Sequence, residues 1–140
     1  MIEIHQAHDA DRAHCHAIRR VVFIEGQGVP ASLEVDGRDD EAVHFLARVD
    51  GVPVGTARAR VLGDRVKAER VAVLSSHQGL GLGRRLMDAL EAWARAEGLS
   101  AVTLHAQAPV IPFYQHLGYA GQGPRFTEAG LEHLAMHKPL

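Results

Sequence analysis

A glycine-rich segment near the middle of the chain has the composition of an anion-binding loop. It spans residues 78–85, QGLGLGRR, and follows the apolar run Val71-Ala72-Val73. The first N–H groups of a helix have no partner within the helix and lie at the positive end of its dipole, and glycines let a ligand approach them closely. A strand that ends near Val73 and a helix that begins after the glycines would therefore form a phosphate site.

The residues after the glycines have the periodicity of an amphipathic helix. Leu82, Leu86, Leu90 and Trp93 recur on one helical face, and Gly98 is a typical residue for the helix end. Nucleotide-binding loops need other spacings, GxxxxGKS, GxxxxGKT or GxGxxG. No lysine with a following serine or threonine is present, and Leu86 stands where the last pattern needs its third glycine. The spacing therefore excludes both kinds of nucleotide loop.

Two segments of the chain resemble the motifs of the GNAT superfamily of N-acetyltransferases. Gln78, Gly81 and Gly83 match its QxxGxG acyl-CoA signature, and residues 113–119, FYQHLGY, are similar to its FYxxLGF segment, with Tyr119 as the last aromatic residue. Smaller similarities indicate a bacterial GNAT subgroup of poorly defined acceptor. They lie at Val22, Phe23, Ile24, Gln27, Gly28, Val29, Pro30, Glu34, Asp36, Asp39, His44, Phe126, Glu128, Gly130, His133 and Met136.

The resemblance implies that acetyl-CoA is the cosubstrate and that its acetyl group passes directly to an amine. In the superfamily, the strand before the phosphate loop diverges from its neighbour, and its free backbone groups bind the pantetheine arm. These groups would belong to Val71 and Val73, with the oxyanion donor at Ala72 or Val73. The expected cofactor contacts are Val71, Ala72, Val73, Gln78, Gly79, Leu80, Gly81, Leu82, Gly83 and Arg84.

The resemblance also implies a general acid at Tyr114. An unperturbed phenol has a pKa of about 10, so it keeps its proton at neutral pH until the thiolate of CoA leaves. A structural role is the alternative, in which Tyr114 is a core residue whose hydroxyl donates to a backbone carbonyl.

Glu69 is the first candidate for the base that deprotonates the acceptor ammonium. It has the strand parity of Val71 and Val73, which predicts that it faces the same side of the sheet, and some family members use a carboxylate here. A structural ion pair with Lys67 or Arg58 is an equally open interpretation.

Two histidines are the other candidates for the base. His105 ends a predicted strand, and His133 belongs to the subgroup pattern. An imidazole exchanges its proton near neutral pH, but a structural histidine is the alternative at either position. Water could also take the proton.

Neither the histidines nor the acidic residues have the spacing of a metal site. The chain has ten histidines, but it lacks HExxH, CxxC and similar ligand patterns, so no metal is expected. The acidic segment 34–41, EVDGRDDE, is expected to be a solvated turn, or alternatively to attract a cationic amine.

Length and composition are typical of one globular domain, expected over residues 1–140. The chain has a mass of 15.2 kDa, with 46% hydrophobic and 23% charged residues. Its net charge of −2 argues against nucleic acid as a partner. Neither a signal peptide nor a long apolar run is present, which predicts a cytoplasmic protein without a membrane partner. The lone Cys15 is expected to be a packed thiol rather than a nucleophile.

The apolar pattern predicts an α/β (α+β) fold, and the resemblance implies the GNAT fold, a mixed and mostly antiparallel sheet flanked by helices. Asp50-Gly51 is a strong hairpin signal, and residues 24–41 are expected to form a loop or a short helix. Strands are expected at 2–5, 43–49, 52–61, 65–74, 101–106, 119–122 and 132–138. Helices are expected at 9–23, 80–97 and 109–117.

The first predicted helix would begin at Asp9 as its cap. Its buried side would carry Ala13, Ala17, Ile18 and either Val21 or Val22.

These features together predict an N-acetyltransferase that uses acetyl-CoA and a primary amine. The acceptor is either a small molecule or an amine of a protein. A catalytically weak CoA-binding sensor or interaction module is the alternative function. Homodimers are common in the family, so a homodimer is an open alternative for the assembly.

Overall fold

The computed structural model describes all 140 residues of the chain. Four α-helices are present: α1 Arg12–Arg19, α2 Ala31–Glu34, α3 Leu82–Ala96 and α4 Ile111–His116. A wider, π-helical turn over Arg20–Gly26 continues α1. Seven strands form one sheet: β1 Ile2–Gln6, β2 Val43–Val49, β3 Val52–Leu62, β4 Arg65–Val73, β5 Ala101–Gln107, β6 Ala120–Glu128 and β7 Leu131–Pro139.

The strands lie in the order β1-β2-β3-β4-β5-β7-β6. Neighbouring strands are antiparallel, except that β4 and β5 are parallel. A parallel pair needs a crossover connection, and α3 provides it. The predicted mixed, mostly antiparallel sheet with flanking helices is confirmed.

The parallel strands β4 and β5 pair over only part of their length. Their ladder ends at Ala68 and Leu104, yet β4 continues to Val73 and β5 to Gln107. Beyond the ladder, the facing backbone edges have no strand partner, so their N–H and C=O groups are available to another molecule. This is the divergence that the resemblance implied.

Helices cover the two faces of the sheet unequally. On one side, α3 and α4 pack against the main core, which includes Leu86 and Met87. On the other side, α1 lies over β2, β3 and β4 and brings Cys15 and Ile18 against Ala72. We call these sides the α3 face and the α1 face. Burial raises the pKa of the Cys15 thiol, in line with the packed thiol expected there.

Two expectations for the first helix are wrong. Asp9 does not cap it, because the short 3-10 turn before α1 already begins at Asp9 and no side-chain cap bond is present. Ala13 and Ala17 are exposed, whereas α1 buries Cys15, Ile18 and Arg19. The guanidinium of Arg19 forms ion pairs with Glu34 and Asp39 beneath the helix. These pairs explain how a charged side chain can be buried on the inner face of α1.

The chain turns between strands as the sequence predicted, but the sixth strand is longer than expected. Asp50 and Gly51 have φ angles of 49° and 83°, as a tight hairpin turn requires. β6 was expected to end at residue 122 and instead reaches Glu128. Glycine and proline within it weaken the strand pattern, and the pairing with β7 is irregular between Gln122 and Phe126. None of the helices is long and apolar enough to span a bilayer.

Candidate active site

A cavity of about 830 Å³ opens where β4 and β5 diverge. Its walls come from the free ends of these two strands, from the glycine-rich loop and α4, and from the segment that contains α2. The turn between β6 and β7 closes one side. The cavity therefore contacts the open backbone edges and the start of α3 at once.

The glycine-rich loop has the backbone that the sequence predicted. Gly79 and Gly81 have φ angles of 83° and 74°, a region that favours glycine. Gly81 is the N-cap of α3, and the amide of Arg85 is bonded to its carbonyl at 3.1 Å. The amides between them lie in the first turn, where no helical acceptor exists. The loop therefore offers backbone donors and a positive dipole end to an anion.

Gly83 has a different reason to be glycine. A β-carbon there would lie 3.2 Å from Cζ of Phe113, so this position lets α3 and α4 approach closely. The QxxGxG signature thus combines one glycine that shapes the loop, Gly81, with one that packs two helices together, Gly83.

The cavity brings together most of the residues expected to contact the cofactor. Leu80 is the exception, because it is 50% exposed and does not line the cavity. The residues that line it are Val71, Ala72, Val73, Gln78, Gly79, Gly81, Leu82, Gly83 and Arg84.

The prediction that Glu69 faces the same side of the sheet as Val71 and Val73 is wrong, because β4 contains a bulge. Arg70 has a φ angle of 54°, and the pairing with β3 shifts register at this point. After the bulge, Val71 and Val73 pack against the main core, while Ala72 lies under α1. Glu69 is therefore on the α1 face, opposite to Val71 and Val73, and it reaches the cavity because the strands diverge there.

Glu69 is surrounded by positive charge. Its Oε1 lies 2.6 Å from Nε of Arg60 and 3.2 Å from Nη2 of Arg58, and its Oε2 lies 3.6 Å from Nζ of Lys67. Burial alone would raise the pKa of Glu69, but the hydrogen bond from Arg60 and the nearby cations outweigh it and lower the pKa. The ion pairs with Lys67 and Arg58 that the sequence left open are both present.

A buried ionic cluster next to Glu69 was not identified in the sequence. Arg58 is fully buried and donates to both oxygens of Asp36, at 2.9 and 2.8 Å, and to Asp39 at 3.0 Å. Arg19 donates to Glu34 at 2.9 Å and to Asp39 at 2.7 Å. We call Arg19, Glu34, Asp36, Asp39, Arg58 and Arg70 the arginine–carboxylate cluster.

The cluster changes the interpretation of the acidic segment 34–41. Glu34 and Asp39 are only 3% and 8% exposed, so a solvated turn is wrong for them, although Asp40 is exposed. Arg70 bonds to Glu34 at 2.9 Å and attaches α2 to β4. Because arginines neutralise these carboxylates, they do not present free negative charge to a cationic amine.

Tyr114 is a buried residue whose hydroxyl makes no hydrogen bond within the protein. It is 7% exposed and lines the cavity, and its ring packs edge-on against Phe113 and Tyr119. Burial raises the pKa of the Tyr114 phenol well above its ordinary value. The backbone acceptor that a purely structural tyrosine would need is absent.

His105 and His133 share a carboxylate at the side of the cavity. Nδ1 of His105 lies 3.1 Å from Oε2 of Glu128, and Nε2 of His133 lies 4.0 Å from the same oxygen. A carboxylate only accepts, so Nδ1 of His105 donates and leaves the lone pair of the neutral ring on Nε2. The ring of Phe126 contacts both histidines. No group of three or more metal-ligating side chains is present.

Comparisons with known proteins agree on one family. The family model described as the Acetyltransferase (GNAT) family matches residues 5–119. The uncharacterized N-acetyltransferase YjcF of Bacillus subtilis is 38% identical over 122 residues, which cover 86% of this chain and 87% of YjcF.

Solved structures show the same architecture. An acyl-CoA N-acyltransferase from Pseudomonas aeruginosa superposes with a TM-score of 0.85 at 28% identity, and Escherichia coli ElaA with a TM-score of 0.86 at 26% identity. Each alignment covers 99% of both chains. The chain belongs to the GNAT family of acetyltransferases, enzymes that transfer acyl groups from acyl-CoA.

Proposed function

We propose that this GNAT enzyme transfers the acetyl group of acetyl-CoA directly to a primary amine. The observation that carries the proposal is one cavity in which the free edge of β4, the glycine-rich loop and the hydroxyl of Tyr114 meet. The backbone would bind the thioester, and the side chains around it would donate and accept the protons of the reaction.

The loop fits the pyrophosphate of CoA. Gly79 and Gly81 leave the space above the backbone open, since a β-carbon at either position would meet nothing within 4 Å. Arg84 and Arg85 form no ion pair within the protein, so their charges are available to phosphates. The free edge of β4 at Val71 and Val73 would bind the pantetheine arm, with the oxyanion donor at Ala72 or Val73.

Tyr114 is the proposed acid. Its high pKa keeps the phenol protonated in the absence of a strong base, and its hydroxyl has no competing partner. A thiolate that forms beside it is a suitable acceptor for the proton.

His105 is the proposed base, ahead of Glu69. Two arginines occupy the oxygens of Glu69, and its lowered pKa makes it a weak proton acceptor. His105 instead has a free Nε2, and Glu128 stabilises the imidazolium that forms when that nitrogen takes a proton. His133 lies next to the same carboxylate and is the second choice.

The proposed reaction follows from these positions. His105 takes a proton from the acceptor ammonium, and the neutral amine attacks the thioester carbonyl carbon. The oxyanion accepts a hydrogen bond from the free backbone of β4. The C–S bond then breaks with its electron pair on sulfur, and Tyr114 protonates the thiolate. The second amine proton returns to the Tyr114 phenolate, so that an amide, CoA and one proton are the products.

Release of free thiol from acetyl-CoA tests the proposal. A panel of diverse primary amines should contain acceptors that accelerate thiol release by the wild-type protein. Gly81→Asp should abolish both CoA binding and thiol release, whereas Tyr114→Phe should keep binding and slow release. Tight CoA binding without thiol release for any amine would contradict acetyl transfer and support the sensor function. The cytoplasmic location, the homodimer and the single domain stay predictions.

A further inference from the structure

The ammonium of Lys67 has no hydrogen bond within the protein. Lys67 lines the cavity with its side chain 18% exposed. Its charged neighbour is Oε2 of Glu69 at 3.6 Å, which is too long for a hydrogen bond. Arg60 already donates to both oxygens of Glu69, at 2.6 and 3.4 Å. An ammonium has three donors, so Lys67 offers all three to a molecule in the cavity.

Positive charge exceeds negative charge around Lys67. Arg58 already pairs with Asp36 and Asp39, so Arg60 and Lys67 share the one carboxylate of Glu69. Arg60 has a second contact to Glu41, at 3.6 Å, but that carboxylate is 59% exposed and therefore well screened by water. Lys67 has no second carboxylate. This wall of the cavity is thus suited to an anion.

The opposite wall has the opposite character. Glu128 is 47% exposed and pairs only with the two imidazoles of His105 and His133. No lysine or arginine pairs with it. A cationic amine is therefore favoured on this side, next to the proposed base.

The sheet places both walls on the α1 face. Lys67 lies directly opposite Thr103 in the parallel ladder, and His105 is two residues further along β5, on the same side as Thr103. In a regular ladder, two residues along a strand and one strand across correspond to about 8 Å, and the backbones of Lys67 and His105 are at least this far apart because the strands begin to diverge after Leu104. Long side chains from both positions can therefore reach one small molecule.

We propose that Lys67 binds a carboxylate of the acceptor, so that the acceptor is a small amine that also carries a carboxylate, as in an amino acid. The ammonium of the acceptor would lie toward His105 and Glu128, and its carboxylate toward Lys67 and Arg60. This inference rests on the proposed acetyl transfer, and it adds the class of acceptor.

Matched pairs of acceptors test the inference. Glycine, β-alanine and γ-aminobutyrate are compared with their amides, which keep the amine and remove the negative charge. Thiol release should show a lower KM for the acids, at the same concentration of neutral amine, for at least one member of the series. A short peptide, Gly-Asp with an amidated C-terminus, is the further arm. Preference for the peptide over every free amino acid would overturn the assignment to a small molecule.

Lys67→Gln removes the charge and retains hydrogen-bonding capacity. KM for the preferred acid should rise about 10- to 100-fold, as for loss of a hydrogen bond to a charged group, while KM for its amide and the affinity for CoA stay unchanged. Lys67→Arg should restore part of the preference. Arg65→Gln is the matched control, because Arg65 precedes Lys67 by two residues on the same strand and does not line the cavity. Equal losses for acid and amide in Lys67→Gln would overturn the inference.

Calorimetry with the CoA-loaded protein separates this inference from the proposed function. Binding of an acid but not of its amide, lost in Lys67→Gln, would support the role of Lys67 even if no amine releases thiol. Turnover of amines without preference for the acids would contradict the inference and leave acetyl transfer intact. Absence of binding by every acid in the series would overturn the inference.

Discussion

In the proposed reaction, the two halves of the cavity recognise their substrates by different means. The donor half consists of backbone, with glycines at positive φ in the loop and a free strand edge on β4. The acceptor half consists of charged side chains from β3, β4, β5 and the β6–β7 turn. A backbone site depends on a local glycine pattern, whereas a side-chain site depends on how distant strands align. The donor half can therefore be common to a family while the acceptor half differs between members.

The halves also differ in how they are held together. The loop requires no buried charge, but the segment that contains α2 is fixed to the sheet by the arginine–carboxylate cluster. Breaking a buried ion pair leaves an unpaired buried charge, which is costly. Substitutions in the loop should therefore affect ligand binding, and substitutions in the cluster should affect stability.

The largest expected effect is loss of CoA binding in Gly81→Asp. An aspartate there would place a carboxylate beside a pyrophosphate. Like charges about 5 Å apart repel by about 3 kcal/mol at an effective dielectric constant of about 20, and two phosphate charges raise the loss of affinity to about 1000-fold or more. Calorimetry measures the CoA affinity. Gly63→Asp is the control, since Gly63 also has a positive φ, 65°, and open space but lies in a distant turn. Unchanged CoA affinity in Gly81→Asp would show that the loop is not the phosphate site.

Arg58→Met should cause the largest loss of stability. It leaves Asp36, Asp39 and Glu69 without their shared buried partner, which typically costs about 3–5 kcal/mol of unfolding free energy. Urea denaturation measures the change. Arg125→Met removes an ion pair whose two side chains are both more than half exposed, and its effect should stay below about 1 kcal/mol. Similar effects of the two substitutions would contradict the structural role of the cluster.

Tyr114→Phe should reduce kcat about 10- to 1000-fold, because general acid catalysis typically contributes about 10²- to 10⁴-fold and water can replace part of it. The ring and its packing remain, so CoA affinity and the melting temperature should change little. Equal turnover of both proteins when chemistry limits the rate would assign Tyr114 to packing alone.

The smallest expected effect is a change in the pH profile of kcat/KM. His105→Ala should remove the acid limb and leave a slower rate that rises with pH as free amine accumulates. Glu69→Gln should leave that limb in place, because a carboxylate with a lowered pKa is already ionised throughout the working range. Glu128→Gln should lower kcat/KM, since His105 loses the carboxylate that orients its ring.

Loss of the acid limb in Glu69→Gln, with the limb intact in His105→Ala, would reverse the assignment of the base. A limb that survives both substitutions would point to His133 or water. In either case the donor half of the comparison would be unaffected.

The sequence was informative where recognition depends on local backbone. The loop, the start of α3 and the hairpin at Asp50 follow from residues close in sequence, since positive φ angles and helix periodicity are local properties. Tyr114 was identified through its resemblance to a family motif. Arg19 could have been noticed as a charged residue next to Ile18 on the inward face of a helix, but its partners lie 15 and 20 residues away.

The sequence by itself determined the family, the mixed sheet and the residues of the glycine-rich loop. Tertiary structure alone decided which polar side chains line the proposed acceptor half of the cavity. The bulge at Arg70 turned Val71 and Val73 to the face opposite to Glu69, and pairing between distant strands placed Lys67 opposite Thr103, two residues before His105. The physical reason is that one extra residue in a strand reverses the direction of every side chain after it. Local sequence patterns determine where helices and strands form, whereas pairing between distant strands determines which charged side chains lie close together.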